Sequence, residues 1–273
     1  MSINLQGTLV LAGCGKMGGA MLEGWLKAGA DARKIVAIDP MPPQEVLDLL
    51  ARHGIRHNPP VASITDAEVI IIAVKPQVMD EVLPNLVRLK SSKPLILSVA
   101  AGKTIATFAK YFGHDAAIIR TMPNTPAAIG RGITAMSPNV NVTKTQMDLA
   151  TALLSSTGEV VTVDTESMID LVTAVSGSGP AYVFYLTECM AAAGEKIGLP
   201  PALAMQLARA TVAGSGELMR QSGIAAATLR QNVTSPKGTT YAALQVLMAE
   251  DGMMPLFEKA ITAAATRSQE LAS

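Results

Sequence analysis

Thr8-Leu9-Val10-Leu11-Ala12-Gly13-Cys14-Gly15-Lys16-Met17-Gly18 decides the fold. Thr8 to Ala12 is a short apolar run ending at glycines, as a strand buried on both faces of a parallel sheet would read. Gly13 to Gly18 matches G-x-G-x-x-G, and an amphipathic segment from Lys16 to about Ala28 follows. One glycine serves the tight turn, one lets the backbone approach a pyrophosphate, and one lets helix and strand pack closely. The helix N-terminus adds free N–H groups and a positive dipole end. The pattern is weak alone, and its place in a strand–loop–helix unit gives it weight. A structural turn is the competing reading.

Outward from this loop, apolar runs recur at 35–38, 69–74, 95–99 and 116–119, separated by helix-length segments. Strands alternating with helices imply a Rossmann-type α/β domain with a parallel sheet covered on both faces. Runs at 133–136 and 160–163, with a helix over 143–156 between them, extend that sheet. Asp39 ends the second run, where an acid would hold the adenosine ribose hydroxyls; a solvated aspartate is an even rival. Asp39-Pro40-Met41-Pro42-Pro43 offers no Arg, Lys or Ser for a 2′-phosphate, which favours NADH over NADPH.

Near residue 165 the pattern changes. Helix-length segments alone follow, over roughly 167–176, 179–197, 201–221, 225–231, 236–250 and 254–271. We therefore expect a dinucleotide-binding domain over 1–165 and an all-α domain over 166–273. Several of these helices are apolar on most sides, so they call for burial against another subunit. Thr234-Ser235-Pro236-Lys237-Gly238-Thr239-Thr240 reads as a helix start, with Ser235 as N-cap and Pro236 at the first helical position. The N–H groups of Lys237, Gly238 and Thr239 would then suit a small carboxylate, although the segment alone fits an ordinary capped helix.

Composition excludes several classes of function. The 273 residues are 49% hydrophobic and 16% charged, with 22 basic and 22 acidic side chains. No net field draws such a chain to nucleic acid or an anionic membrane. Met1 to Gly7 has neither the basic nor the apolar region of a secretory signal. Cys14 and Cys189 lack metal or redox spacing. A cytoplasmic protein with reduced thiols and no metal is expected.

Several segments together resemble the pyrroline-5-carboxylate reductase family, along nearly the whole chain. They are the glycine loop, Ala73-Val74-Lys75-Pro76, Ser98 to Gly102, Met122 to Pro126, Ser176 to Tyr182, Gly198 to Pro200 and Val233 to Thr240. The resemblance implies reduction of a cyclic imine to L-proline by NADPH or NADH. It implies that Ala73 to Pro76 and the Ala101 region line the nicotinamide half of the cleft, with Asn58 on its approach. It implies that Gly238 and Thr239 hold the substrate carboxylate and that Thr240 hydrogen-bonds the ring nitrogen. Glu166 is a substrate contact or a solvated helix-start carboxylate; Asn232 reaches the cofactor or caps a turn. Family members pair their helices between subunits, so a homodimer or an assembly of dimers is implied. Two residues depart from the family pattern: Lys237 replaces a glycine, and Asp39 stands where many members carry a small or basic residue for NADPH.

His53, His57 and His114 sit in no motif, which suits a reaction that needs no strong general acid. A β-hydroxyacid dehydrogenase would need a lysine where Val183 stands. A reductase of another cyclic imine stays open. A noncatalytic NAD(P)-sensing protein would have little use for Ser235 to Thr240.

Overall fold

The computed structural model describes residues 3–272. Among these residues eight strands form one sheet: β1 (Thr8–Ala12), β2 (Ile35–Ile38), β3 (Arg56–His57), β4 (Ala67–Ile72), β5 (Leu95–Ser98), β6 (Ile118–Met122), β7 (Gly132–Pro138) and β8 (Gly158–Thr162). Their order is β3-β2-β1-β4-β5-β6-β7-β8. All neighbours are parallel except β6 and β7, which run antiparallel. The order reverses between β1 and β4, so the glycine loop leaves β1 at the switch point of a doubly wound sheet. Ligands bind in the crevice at such a point.

The helices between these strands cover the sheet: α1 (Lys16–Lys27), α2 (Gln44–His53), α3 (Met79–Leu86), α4 (Ile105–Phe112) and α5 (Lys144–Ser155). Alternate strand residues feed two cores. Leu9, Leu11, Ile35, Val69, Ile71 and Leu97 pack with Trp25 of α1 and Leu153 of α5. Val10, Val36, Ile70, Ile72 and Ile96 pack with Leu83 of α3 and Phe108 of α4. Burial on both faces is why these strands read as continuous apolar runs rather than alternating ones. Trp25 Nε1 donates to the Leu153 carbonyl at 3.0 Å, so its one polar atom is satisfied inside the core.

Beyond β8 the chain is helical: α6 (Met168–Val172), a π-helical turn over Thr173–Gly177, α7 (Gly179–Lys196), α8 (Pro201–Ser222), α9 (Ala226–Asn232), α10 (Thr239–Leu247) and α11 (Met253–Ala272). The chain forms two compact units, one running through Gly177 and taking in the chain from Ala264, the other Ser178–Ala263. In sequence, residues 166–177 begin the helical run; in space they pack with the sheet, as does the end of α11. The second unit buries almost no core of its own. Among its residues only Ala191, Ala204 and Ala208 are buried apolar side chains. Phe184, Tyr185, Val246, Met254 and Leu256 are each more than 60% exposed. Among the described residues no helix is long and apolar enough to cross a membrane.

Candidate functional site

The glycine loop is built by close backbone contact. Gly13 has φ +94°, and a Cβ there would lie 2.6 Å from the Ala73 carbonyl carbon and 2.7 Å from the Val74 nitrogen. A Cβ on Gly18 would lie 2.0 Å from the Gly13 carbonyl oxygen. Gly15 differs: it is exposed, it is the N-cap of α1, and a Cβ there meets nothing within 4 Å. Two glycines thus close the fold, and the third leaves open space in front of a helix N-terminus. That cradle fits a dinucleotide pyrophosphate. Lys16 is exposed as the first residue of α1, and Met17 packs partly against the core.

Asp39 lies directly after β2, and its carboxylate is already engaged. Oδ2 accepts the Cys14 N–H at 2.5 Å and Oδ1 accepts the Met41 N–H at 2.8 Å. The Cys14 thiol has its pKa pushed up to about 12, first by burial and then by the Asp39 carboxylate, so it stays protonated near neutral pH. Asn58 grips the Asp39 backbone twice. Its Oδ1 accepts the Asp39 N–H at 2.9 Å, and its Nδ2 donates to the Asp39 carbonyl at 2.8 Å. Asn58 itself has φ +48°, a conformation its short amide side chain tolerates. The structure therefore gives Asn58 a task on the strand end.

Ala73 to Pro76 leave β4 against Gly13, with the Ala73 N–H donating to the Ala12 carbonyl at 2.7 Å. Lys75 is exposed, and Pro76 opens a short 3-10 turn. Ala101 lies exposed in the loop after β5. Glycine loop, Asp39, Ala73 to Pro76 and Ala101 thus all sit at the carboxyl ends of neighbouring parallel strands. Two further segments meet in the same unit: a Cβ on Gly177 would lie 3.3 Å from the Met122 sulfur, and Asn124 Nδ2 is 3.4 Å from Ser176 Oγ.

Glu166 is half-buried, and its carboxylate is engaged. Its Oε1 accepts the Ile105 N–H at 2.7 Å and lies 3.3 Å from Arg120 Nη1. Arg120 and Asp170 are functional candidates that the reading of the sequence passes over. Both are buried, and Arg120 Nη2 donates to Asp170 Oδ1 at 2.8 Å. The available signal was an arginine inside an apolar strand, just before Met122-Pro123.

In the second unit the helix start differs from the expectation. Gly238, not Ser235, is the N-cap, and α10 begins at Thr239. Ser235 to Gly238 form a turn closed by the Gly238 N–H on the Ser235 carbonyl at 3.1 Å. Lys237 has φ +61°. Proline before a left-handed residue is a turn pattern, so Pro236 serves the turn rather than the helix. The free N–H groups of the first helical turn are then those of Thr239, Thr240 and Tyr241. A Cβ on Gly238 would lie 2.4 Å from Ser235 Oγ, so Ser235 packs against the helix start without capping it. Thr240 is half-buried, and Asn232 is exposed at the end of α9. Among the described residues no cluster of His, Cys, Asp or Glu could hold a metal ion.

Lys237 has a measurable consequence. Left-handed backbone costs a side-chain-bearing residue about 1–2 kcal/mol. Glycine relieves it but carries about 0.5–1 kcal/mol more unfolded-chain freedom. Lys237→Gly is therefore expected to stabilise the protein slightly, by about 0.5–1 kcal/mol in denaturant titration. A destabilised Lys237→Gly protein would contradict the strained-turn account.

Known proteins resemble this chain along both of its parts. A family model described as pyrroline-5-carboxylate reductase dimerisation matches residues 166–271. A second, NADP oxidoreductase coenzyme F420-dependent, matches residues 8–102. A pyrroline-5-carboxylate reductase of Pseudomonas aeruginosa is 38% identical over 266 residues, 97% of this chain and 96% of that one. The structure of a pyrroline-5-carboxylate reductase from Coxiella burnetii superposes with TM-score 0.90 at 33% identity, covering 98% of this chain and 100% of that one. Plasmodium falciparum pyrroline carboxylate reductase, solved with NADP bound, gives TM-score 0.83 at 28% identity, with both chains fully covered. With its two-part architecture and near-complete coverage of these relatives, the chain belongs to the pyrroline-5-carboxylate reductase family.

Proposed function

We propose that this protein reduces 1-pyrroline-5-carboxylate to L-proline with a reduced nicotinamide dinucleotide. The observation that carries the reading is the glycine loop at the sheet's switch point, in a chain that matches reductases of this family end to end. When bound, the reduced nicotinamide supplies a hydride to the imine carbon; a proton goes to the ring nitrogen, and the C=N bond becomes a C–N single bond. The residues of the chain bind and align. N–H groups at the start of α1, opposite the open side of Gly15, hold the pyrophosphate. Ala73, Val74, Lys75, Pro76 and Ala101 border the nicotinamide half. In the second unit the free N–H group of Thr239 at the start of α10, beside Gly238 and Ser235, receives the substrate carboxylate, and the Thr240 hydroxyl holds the ring nitrogen; the Gly238 N–H, expected to share the carboxylate, is taken by the Ser235 carbonyl instead. A cyclic imine protonates in solution near neutral pH, so no strong general acid is needed. Oxidation of NADH or NADPH that depends on added pyrroline-5-carboxylate tests the reading; no oxidation with either cofactor contradicts it.

NADH is the expected preferred cofactor, although the related Plasmodium protein was solved with NADP. An ionised carboxylate offers about four acceptor positions. Two are taken by the Cys14 and Met41 N–H groups, which leaves room for the ribose hydroxyls. A 2′-phosphate would meet like charge, and Pro40 to Pro43 carries no basic residue. Steady-state comparison decides the matter: a kcat/KM far higher for NADPH would overturn this assignment.

A homodimer, or an assembly of dimers, supplies the burial that the second unit lacks. Exposed apolar surface on this scale marks an interface rather than a solvent face. Light scattering is expected to give at least a dimer, and a stable, active monomer would refute the assignment.

A further inference from the structure

Arg120 is 1% exposed, yet it meets two carboxylates and leaves its Nε without a partner. Nη2 bonds Asp170, whose Oδ1 also accepts Ser268 Oγ at 2.9 Å, and Nη1 faces Glu166. A buried ion cluster is a poor device for stability alone, because desolvation offsets most of its attraction. Its value lies in what it fixes. Glu166 Oε1 also takes the N–H of Ile105, the first residue of α4, a donor the helix leaves without an internal partner. Ile105 is where the loop Val99 to Thr104 ends.

The other end of that loop is braced from the same strand. Arg120 stands beside Ser98 in the β5–β6 register. The neighbouring Thr121 Oγ1 donates to the Ser98 carbonyl at 2.8 Å, and Ser98 Oγ accepts the Ala100 N–H at 3.2 Å. Between the two ends, Gly102 has φ +68° and lies against the last turn of α11. A Cβ there would be 3.0 Å from Leu271 Cβ and 3.1 Å from its carbonyl oxygen. The same turn of α11 carries Ser268, which reaches back to Asp170.

We propose that Glu166, held by Arg120, is a positioning residue for the cofactor-side loop Val99 to Thr104, and that the end of α11 closes that loop through Ser268 and Leu271. This rests on the cofactor reading above, which places Ala101 beside the nicotinamide. Glu166 then acts on the reaction through the loop, and Arg120 acts through Glu166.

The test is affinity for NADH, measured by fluorescence titration without imine, for wild type, Glu166→Ala, Glu166→Gln and Ser268→Ala. Glu166→Ala is expected to weaken NADH binding about tenfold, the scale of one charge-assisted hydrogen bond. Glu166→Gln should weaken it less, because its amide oxygen still accepts the Ile105 N–H. Ser268→Ala should shift binding in the same direction. The KM for pyrroline-5-carboxylate at saturating NADH should stay near wild type in all three. Unchanged NADH affinity with a raised imine KM would make Glu166 a substrate contact and overturn the proposal. A lowered melting point with NADH affinity unchanged would make the cluster merely structural and overturn it equally. Wild-type protein that binds neither NADH nor NADPH would remove the cofactor reading itself, and the proposal with it.

Discussion

Gly18→Ala is expected to lose both dinucleotide binding and stability, while Gly15→Ala should lose binding alone. The new methyl of Gly18→Ala would sit 2.0 Å from the Gly13 carbonyl oxygen and 3.1 Å from its carbonyl carbon. Both are backbone atoms, so no side chain can swing away, and either α1 or the loop must move. Gly13→Ala adds an unfavourable left-handed φ to a clash with Ala73 and Val74. Overpacking of this kind costs about 1–3 kcal/mol and occasionally more. Taken from the bound state alone, that is roughly a 5–150-fold loss of affinity. Gly15→Ala meets no protein atom and has φ −67°, so its fold should be intact. Its methyl would fill the open space before α1, where we place the pyrophosphate. Thermal midpoints and NADH titration separate the pair. Wild-type affinity in Gly18→Ala, or a normal NADH affinity in Gly15→Ala, would refute this account of the loop.

Thr240→Ala is expected to lower kcat/KM by about tenfold to a hundredfold, with binding of reduced cofactor little changed. The hydroxyl sits on the second residue of α10, beside the free N–H groups that would take the carboxylate. Losing one hydrogen bond to a partly cationic ring nitrogen costs roughly 1.5–3 kcal/mol, which sets the size of the rate effect. Thr240→Ser keeps the hydroxyl and should keep most of the activity. A folded Thr240→Ala protein with wild-type kcat/KM would show that the residue only builds the helix start.

The sequence made the first half of the fold legible because its strands are buried on both faces. β1 and β2 fall where their apolar runs lie. β6 lies further along than Ala116 to Ile119, because Arg120 and Thr121 are strand residues whose polar groups find partners far away in sequence. No local pattern announces such partners. β3 is two exposed residues, Arg56 and His57, and leaves no hydrophobic signal. The antiparallel pairing of β7 is likewise silent in its composition. At α10, Ser235 and Pro236 suit either a helix start or a turn; the left-handed Lys237 decides for the turn. Glu166 was legible as a candidate, but its attachment to Ile105 and Arg120 was not.

The central claim, hydride transfer to the imine carbon, is tested most directly with cofactor deuterated at the reactive position of the reduced nicotinamide. Incubated with this protein and pyrroline-5-carboxylate, each of the two C4-deuterated epimers of NADH should be tried in turn. The account predicts that one of them gives L-proline carrying a single deuterium at the former imine carbon, and that the other gives unlabelled L-proline. Proline without label from both epimers, or no proline at all, would contradict it.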